Sequence, residues 1–159
     1  VAGSIGTTDK SKVTEAQGEY YRIHAEKLKD IPLYPHVKET IEHFKNKKLA
    51  IISNKRDEFI RKILKQHGLG HRFADILGGD TANCLKPDPC AVKLIMQKHD
   101  IPPDRTLIVG DMTVDVETGK NAGVRTCAVT YGFDNRAKLE QARPDLLIDD
   151  FQELTNLIQ

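Results

Sequence analysis

The sequence predicts an α/β protein, a three-layer sandwich in which helices cover both faces of a parallel sheet. Three observations lead there. Strand-like and helix-like stretches alternate along most of the chain, as in "KLAIISNKRDEFIRKILKQHG". The strand candidates are unbroken apolar runs, which suits strands buried on both faces. Several of them end abruptly on polar residues, and in parallel sheets ligands collect outside the carboxyl ends of the strands.

The first thirty residues differ in kind. In "SKVTEAQGEYYRIHAEKLKD", Val13, Ala16, Tyr20 and Ile23 share a helical face. "IPLYPHV", with Pro32 and Pro35, reads as a connector into the domain proper. Val37, Ile41 and Phe44 mark a helix, and "KLAIIS" at 48–53 a buried strand. Phe59, Ile60, Ile63 and Leu64 line the next helix, which Gly68 stops. "DILG" at 75–78 is a weaker strand. "KPDP" then opens a helix through Ala91, Val92, Ile95 and Met96, since proline in a first turn loses no hydrogen bond. "TLIVGD" at 106–111 is the third strand, followed by a short helix through Val116 and Ala122 that ends at Gly123. "TCAVT" at 126–130 and "DLLID" at 145–149 complete five strands, and Phe151, Leu154 and Ile158 form the last helix.

Bulk properties exclude several classes of function. The chain has 159 residues, 39% hydrophobic and 30% charged, the balance of one globular domain. A formal charge of +1 gives no electrostatic argument for nucleic acid or an acidic membrane surface. No apolar run reaches bilayer length and no signal peptide is visible, so a cytoplasmic protein is expected. Cys84, Cys90 and Cys127 are odd in number and lack C-x-x-C spacing, which predicts reduced, inert thiols and no zinc site. The six histidines form no ligand pair, because Gly68 and Gly70 interrupt the helix that would align His67 with His71; all six read as structural or exposed.

The polar strand ends carry the chemistry. Ser53 offers a hydroxyl where a strand gives way to a helix N-terminus, a natural anion site, although a helix cap would use the same residue. Lys86 precedes a proline-opened helix and would bring a point charge to the strand ends. Asp111 follows its strand directly and can be a hard oxygen ligand for a small divalent cation. Asp115, one helical turn later, can accept a hydrogen bond from metal-bound water or pair with Lys86; the helix dipole alone would also favour an acid there.

In this order, and together with "YPHVKETIEHFKNKKLAIISNK", "GGDTANCLKPDP", "LIVGDMTVDVETGKNAGV" and "VTYGFDNRAKLEQARPDLLIDDFQEL", these motifs resemble the haloacid dehalogenase superfamily. The resemblance is to its phosphoglycolate phosphatase branch and runs from residue 34 to the end. It implies a Rossmann-like core and Mg²⁺-dependent hydrolysis of a small phosphorylated metabolite through an aspartyl-phosphate. By that resemblance Ser53 and Asn54 bind the phosphoryl group, and Lys86 neutralises it and orients the nucleophile. Asp111 binds Mg²⁺ and Asp115 tunes the metal's water shell.

The nucleophile itself, carried in the family on a first strand as hydrophobic-Asp-x-Asp-Gly-Thr, has no counterpart, for no D-x-D occurs in these residues. "LLIDDF" lacks the Gly-Thr and falls where the family has its last strand. Residues 1–30 resemble the last part of the helical cap, and 31–159 a core without its first strand. The expectation is therefore a gap or an unpaired strand edge beside the strand ending at Asp111, and a chain inactive by itself. His36 replaces a usual glycine, and Met112 a frequent Ser or Thr. Two other readings stay open: a catalytically dead phosphate-binding or protein-interaction module, and a different enzyme of the superfamily such as a pyrophosphatase or phosphosugar mutase.

Overall fold

The computed structural model describes residues 31–158. The expected cap helix within residues 1–30 lies outside the described residues. Five strands form: β1 (Ala50–Ile52), β2 (Asp75–Leu77), β3 (Leu107–Gly110), β4 (Arg125–Val129) and β5 (Leu146–Ile148). The helices are α1 (Val37–His43), α2 (Asp57–Gln66), α3 (Cys90–His99), α4 (Thr113–Ala122), α5 (Arg136–Ala142) and α6 (Leu154–Leu157). Among the described α-helices, α5 is the one that the apolar pattern does not announce. Only Leu139 on it is buried, and its start is set instead by Asn135, whose side chain accepts the Lys138 N–H.

All strand pairs are parallel, as expected, but they fall into two sheets. β1 pairs with β2, Ile51 opposite Ile76, while β4 lies between β3 and β5, with Cys127 opposite Val109 and Leu146. Among the described residues no strand joins β1 to β3. A cavity of about 440 Å³ lies there, lined by Ile51 and Ile52 from one sheet and by Leu107, Ile108 and Val109 from the other. Among the described residues the edges of β1 and β3 that face this cavity are therefore unpaired.

The period-two alternation of the strands builds the layers. On one face Ile51 and Ile76 pack on Ile41, Ile60 and Leu64 of α1 and α2. The same side of the larger sheet packs Cys127, Val129 and Ile148 on Phe44 and Leu154. On the opposite face Ile52 and Ile108 meet Val92 of α3 and Ala122 of α4. There too, Ala128 and Leu147 meet Val116 and Leu139. Helices α2 and α4 stop where expected, at Gly68 (φ 68°) and Gly123 (φ 73°).

Residue 36 shows why glycine is usual there. His36 precedes α1 with φ 58°, in the left-handed region, and its Nδ1 lies 2.6 Å from Asp150 Oδ2. His99, at the end of α3, binds Asp75 at the start of β2. Both therefore have structural partners. No helix among the described residues is long and apolar enough to cross a membrane.

Candidate active site

Ser53 follows the last residue of β1 and Asp111 the last of β3, so both stand at the carboxyl ends of their strands. The loop after β2 brings Lys86 to them. Its Nζ donates to Asp115 Oδ1 in an ion pair whose side chains are only 14% and 7% exposed. The pairing of Lys86 with Asp115 is thus met.

Asn54 holds the Lys86 backbone at two points. Its Oδ1 accepts the Lys86 N–H at 2.8 Å and its Nδ2 donates to the Lys86 carbonyl at 3.2 Å. Both ends of the Asn54 amide are thus engaged with the Lys86 backbone. Ser53 Oγ accepts the Lys55 N–H at 3.1 Å, a local turn bond, and its own N–H donates to the Leu77 carbonyl across the sheet. The Ser53 hydroxyl has no bond to Lys86 or Asp111 among the described residues.

Asp111 and Asp115 are held by different means. Asp115 Oδ2 accepts the Met112 N–H at 3.0 Å, reaching back over the first turn of α4. Asp111 Oδ2 accepts the Phe133 N–H at 2.8 Å from the loop after β4, while its Oδ1 accepts no hydrogen bond among the described residues. That oxygen suits a small hard cation. Room for both carboxylates comes from glycines. A Cβ on Gly110 would overlap the Asp115 carboxyl, and one on Gly132 would overlap the Asp111 side chain. Gly110→Ala is therefore expected to displace Asp115 and break its pair with Lys86. The check is the Lys86 ammonium resonance in ¹⁵N-resolved NMR, which should lose its protected position.

Asp134 is a residue that sequence reasoning missed. Met112 has no oxygen with which to cap α4, and Asp134, 7% exposed, supplies one from the next loop. Its Oδ2 accepts the Thr113 N–H at 2.8 Å and the Thr113 hydroxyl at 3.2 Å. The Thr113 N–H holds the Asp134 carboxyl below the usual carboxylate range, against the opposing effect of burial. Asp145 is lowered too, by the hydroxyl and then the N–H of Thr126.

These shifts fix the sign of an acid effect. The folded carboxylates bind protons more weakly than the unfolded ones, whose reference value is 3.8, so protonation favours unfolding. Melting temperature should stay level between about pH 5 and 7 and fall progressively below about pH 4. Asp134→Asn should shrink that fall, measurable by thermal melts across the range.

One expectation is corrected. Cys84 and Cys90 are not separate reduced thiols but are joined as a disulfide. They can be, because the turn after β2 folds the loop back on the start of α3, bringing their Cα atoms within 6.4 Å despite a spacing of six residues. Cys127 remains free and buried.

Parallel strands between helix layers, with an acid, a lysine–carboxylate pair and a helix N-terminus at their carboxyl ends, define a Rossmann-like α/β core. The chain belongs to the haloacid dehalogenase-like hydrolase family, whose model matches residues 4–129. It is 37% identical over 142 residues to a phosphoglycolate phosphatase of Vibrio cholerae, covering 88% of this chain and 62% of that protein. It is 34% identical over 151 residues to one of Vibrio vulnificus, covering 94% and 65%. A crystal structure of a predicted phosphoglycolate phosphatase from Haemophilus somnus superposes with a TM-score of 0.85 at 33% identity, over 96% of this chain and 68% of that one. The chain thus spans less than two thirds of the length of the first two relatives.

Proposed function

We propose that this chain forms most of the core of a Mg²⁺-dependent phosphatase acting on a small phosphorylated acid such as phosphoglycolate. The observation that carries the reading is the part-buried Lys86–Asp115 pair, clamped by Asn54 beside Asp111 at the sheet's carboxyl edge. Lys86 Nζ supplies positive charge where phosphoryl oxygens would gather, and the Ser53 hydroxyl and the N–H groups after β1 would orient them. Asp111 Oδ1 would take a direct cation ligand position, with Asp115 holding Lys86 and the cation's water. A bound Mg²⁺ would shield the phosphoryl charge.

One direct protein ligand is few for Mg²⁺, which favours octahedral oxygen coordination. The reading therefore places a further carboxylate, the nucleophile, on an extended strand seated in the cavity between β1 and β3. The apolar lining of that cavity and the parallel edges on both sides support it. There the carboxylate would attack phosphorus and break the P–O bond to the substrate, which leaves as its alcohol after taking a proton; water would then hydrolyse the aspartyl-phosphate, releasing inorganic phosphate and restoring the carboxylate.

The test compares two proteins with phosphoglycolate and p-nitrophenyl phosphate. One is the 159-residue chain; the other is the same chain preceded by the N-terminal segment of the Vibrio cholerae relative. The expected result is no turnover above background for the first and Mg²⁺-dependent turnover for the second. Turnover by the 159-residue chain, abolished in Asp111→Ala, would overturn the assignment of the nucleophile; Asp149 and Asp150 would then be the first residues to mutate.

A further inference from the structure

The disulfide between Cys84 and Cys90 encloses Lys86. Inside this short ring the Lys86 N–H and carbonyl are held by Asn54, and the Pro87 carbonyl accepts from Asn121 Nδ2 at 3.1 Å. Asp88 Oδ1 accepts the Cys90 N–H at 2.8 Å. These are exposed hydrogen bonds, for which water competes, so besides the Lys86–Asp115 ion pair at the side-chain tip the sulfur bridge is the tether that fixes the loop's backbone. Both bridged cysteines are half-buried and reachable from solvent. Cys127 differs: it is 1% exposed, and burial pushes its thiol up to about 12.

We propose that Cys84 and Cys90 are a reversible thiol–disulfide modification site that sets how firmly the Lys86 loop is held, with low-molecular-weight disulfides as the oxidant. The consequence for catalysis rests on the phosphatase reading of Lys86; the sulfur chemistry does not. In the forward direction one cysteine loses its proton and its thiolate attacks a sulfur of RSSR, forming a mixed disulfide and releasing RS⁻. The second cysteine loses its proton, attacks the bound protein sulfur and expels the other RS⁻. Two protein thiols are oxidised by two electrons, and one RSSR is reduced to two RSH. A low-molecular-weight dithiol reverses the exchange.

The experiment equilibrates the 159-residue chain in buffers of graded reduced-to-oxidised glutathione. EDTA is present so that no cation competes for Cys84, Asp88 and Cys90, whose ligand atoms lie within 4.8 Å of one another. Alkylation followed by mass spectrometry should show two thiols lost together on oxidation and regained on reduction, in the wild type and in Cys127→Ser alike. Neither Cys84→Ser nor Cys90→Ser should show the paired loss. Hydrogen exchange over residues 85–88 should be at least about tenfold slower in the oxidised wild type than in the reduced, and independent of redox state in the Cys84→Ser/Cys90→Ser variant. Three alkylatable thiols across the whole series, or equal exchange in both states, would overturn the proposal. Failure of the phosphatase reading would show elsewhere, as turnover insensitive to Lys86, and would leave both readouts intact.

Discussion

Lys86→Ala, made in the chain that carries the Vibrio cholerae N-terminal segment, is expected to lower kcat by about 10²–10³-fold, the usual loss when one preorganised charge is taken from a developing anion. On this proposal the effect should fall on kcat more than on KM, because the ammonium would meet most negative charge in the transition state. Lys86→Arg should recover little of it. The lysine fills a site shaped by Asn54 on its backbone and Asp115 at its tip, and a planar fork cannot present the same point charge there. Kinetics and a thermal melt on the same preparations decide the matter. A loss of under about tenfold with the fold intact would remove Lys86 from the reaction.

The second large effect is on stability. Asp115→Ala leaves the Lys86 ammonium without its partner in a place where both side chains are mostly out of water, 14% and 7% exposed. Breaking a buried pair from one side costs about 3–5 kcal/mol, most of it the penalty of the uncompensated charge. Urea denaturation should show a loss of unfolding free energy of that size, read as a lowered midpoint with little change in slope. The double variant Lys86→Met/Asp115→Ala should regain much of the loss, since it removes the stranded charge. A single-variant cost of under about 1 kcal/mol would mean that the pair is solvated in solution.

Much of this was legible in the residues, for a physical reason that also explains what was not. The five strands were readable because burial on both faces leaves unbroken apolar runs, and "LIVGD" and "AIISN" end where their sheets end. Helix α5 was not readable, because it touches the core through Leu139 and so carries almost no periodic signal. In the site, a carboxylate partner for Lys86, either Asp111 or Asp115, followed from charge. The clamp by Asn54 and the cap from Asp134 did not, since each joins residues far apart in the chain, 54 with 86 and 113 with 134. The cysteines were misjudged for a related reason. Spacing along the chain says little about two sulfurs when the turn between them doubles back.

The edges of β1 and β3 that border the cavity bear on handling as well as on chemistry. Each presents a row of backbone donors and acceptors with no ladder partner among the described strands, over an apolar floor. Such an edge is a template for any extended chain that meets it, including another copy of itself. Preparations of the 159 residues alone should accordingly self-associate with rising concentration and bind hydrophobic dyes, whereas a segment that docks as the central strand should suppress both. Solubility then becomes a direct report on whether that strand is in place, readable by light scattering before any substrate is added.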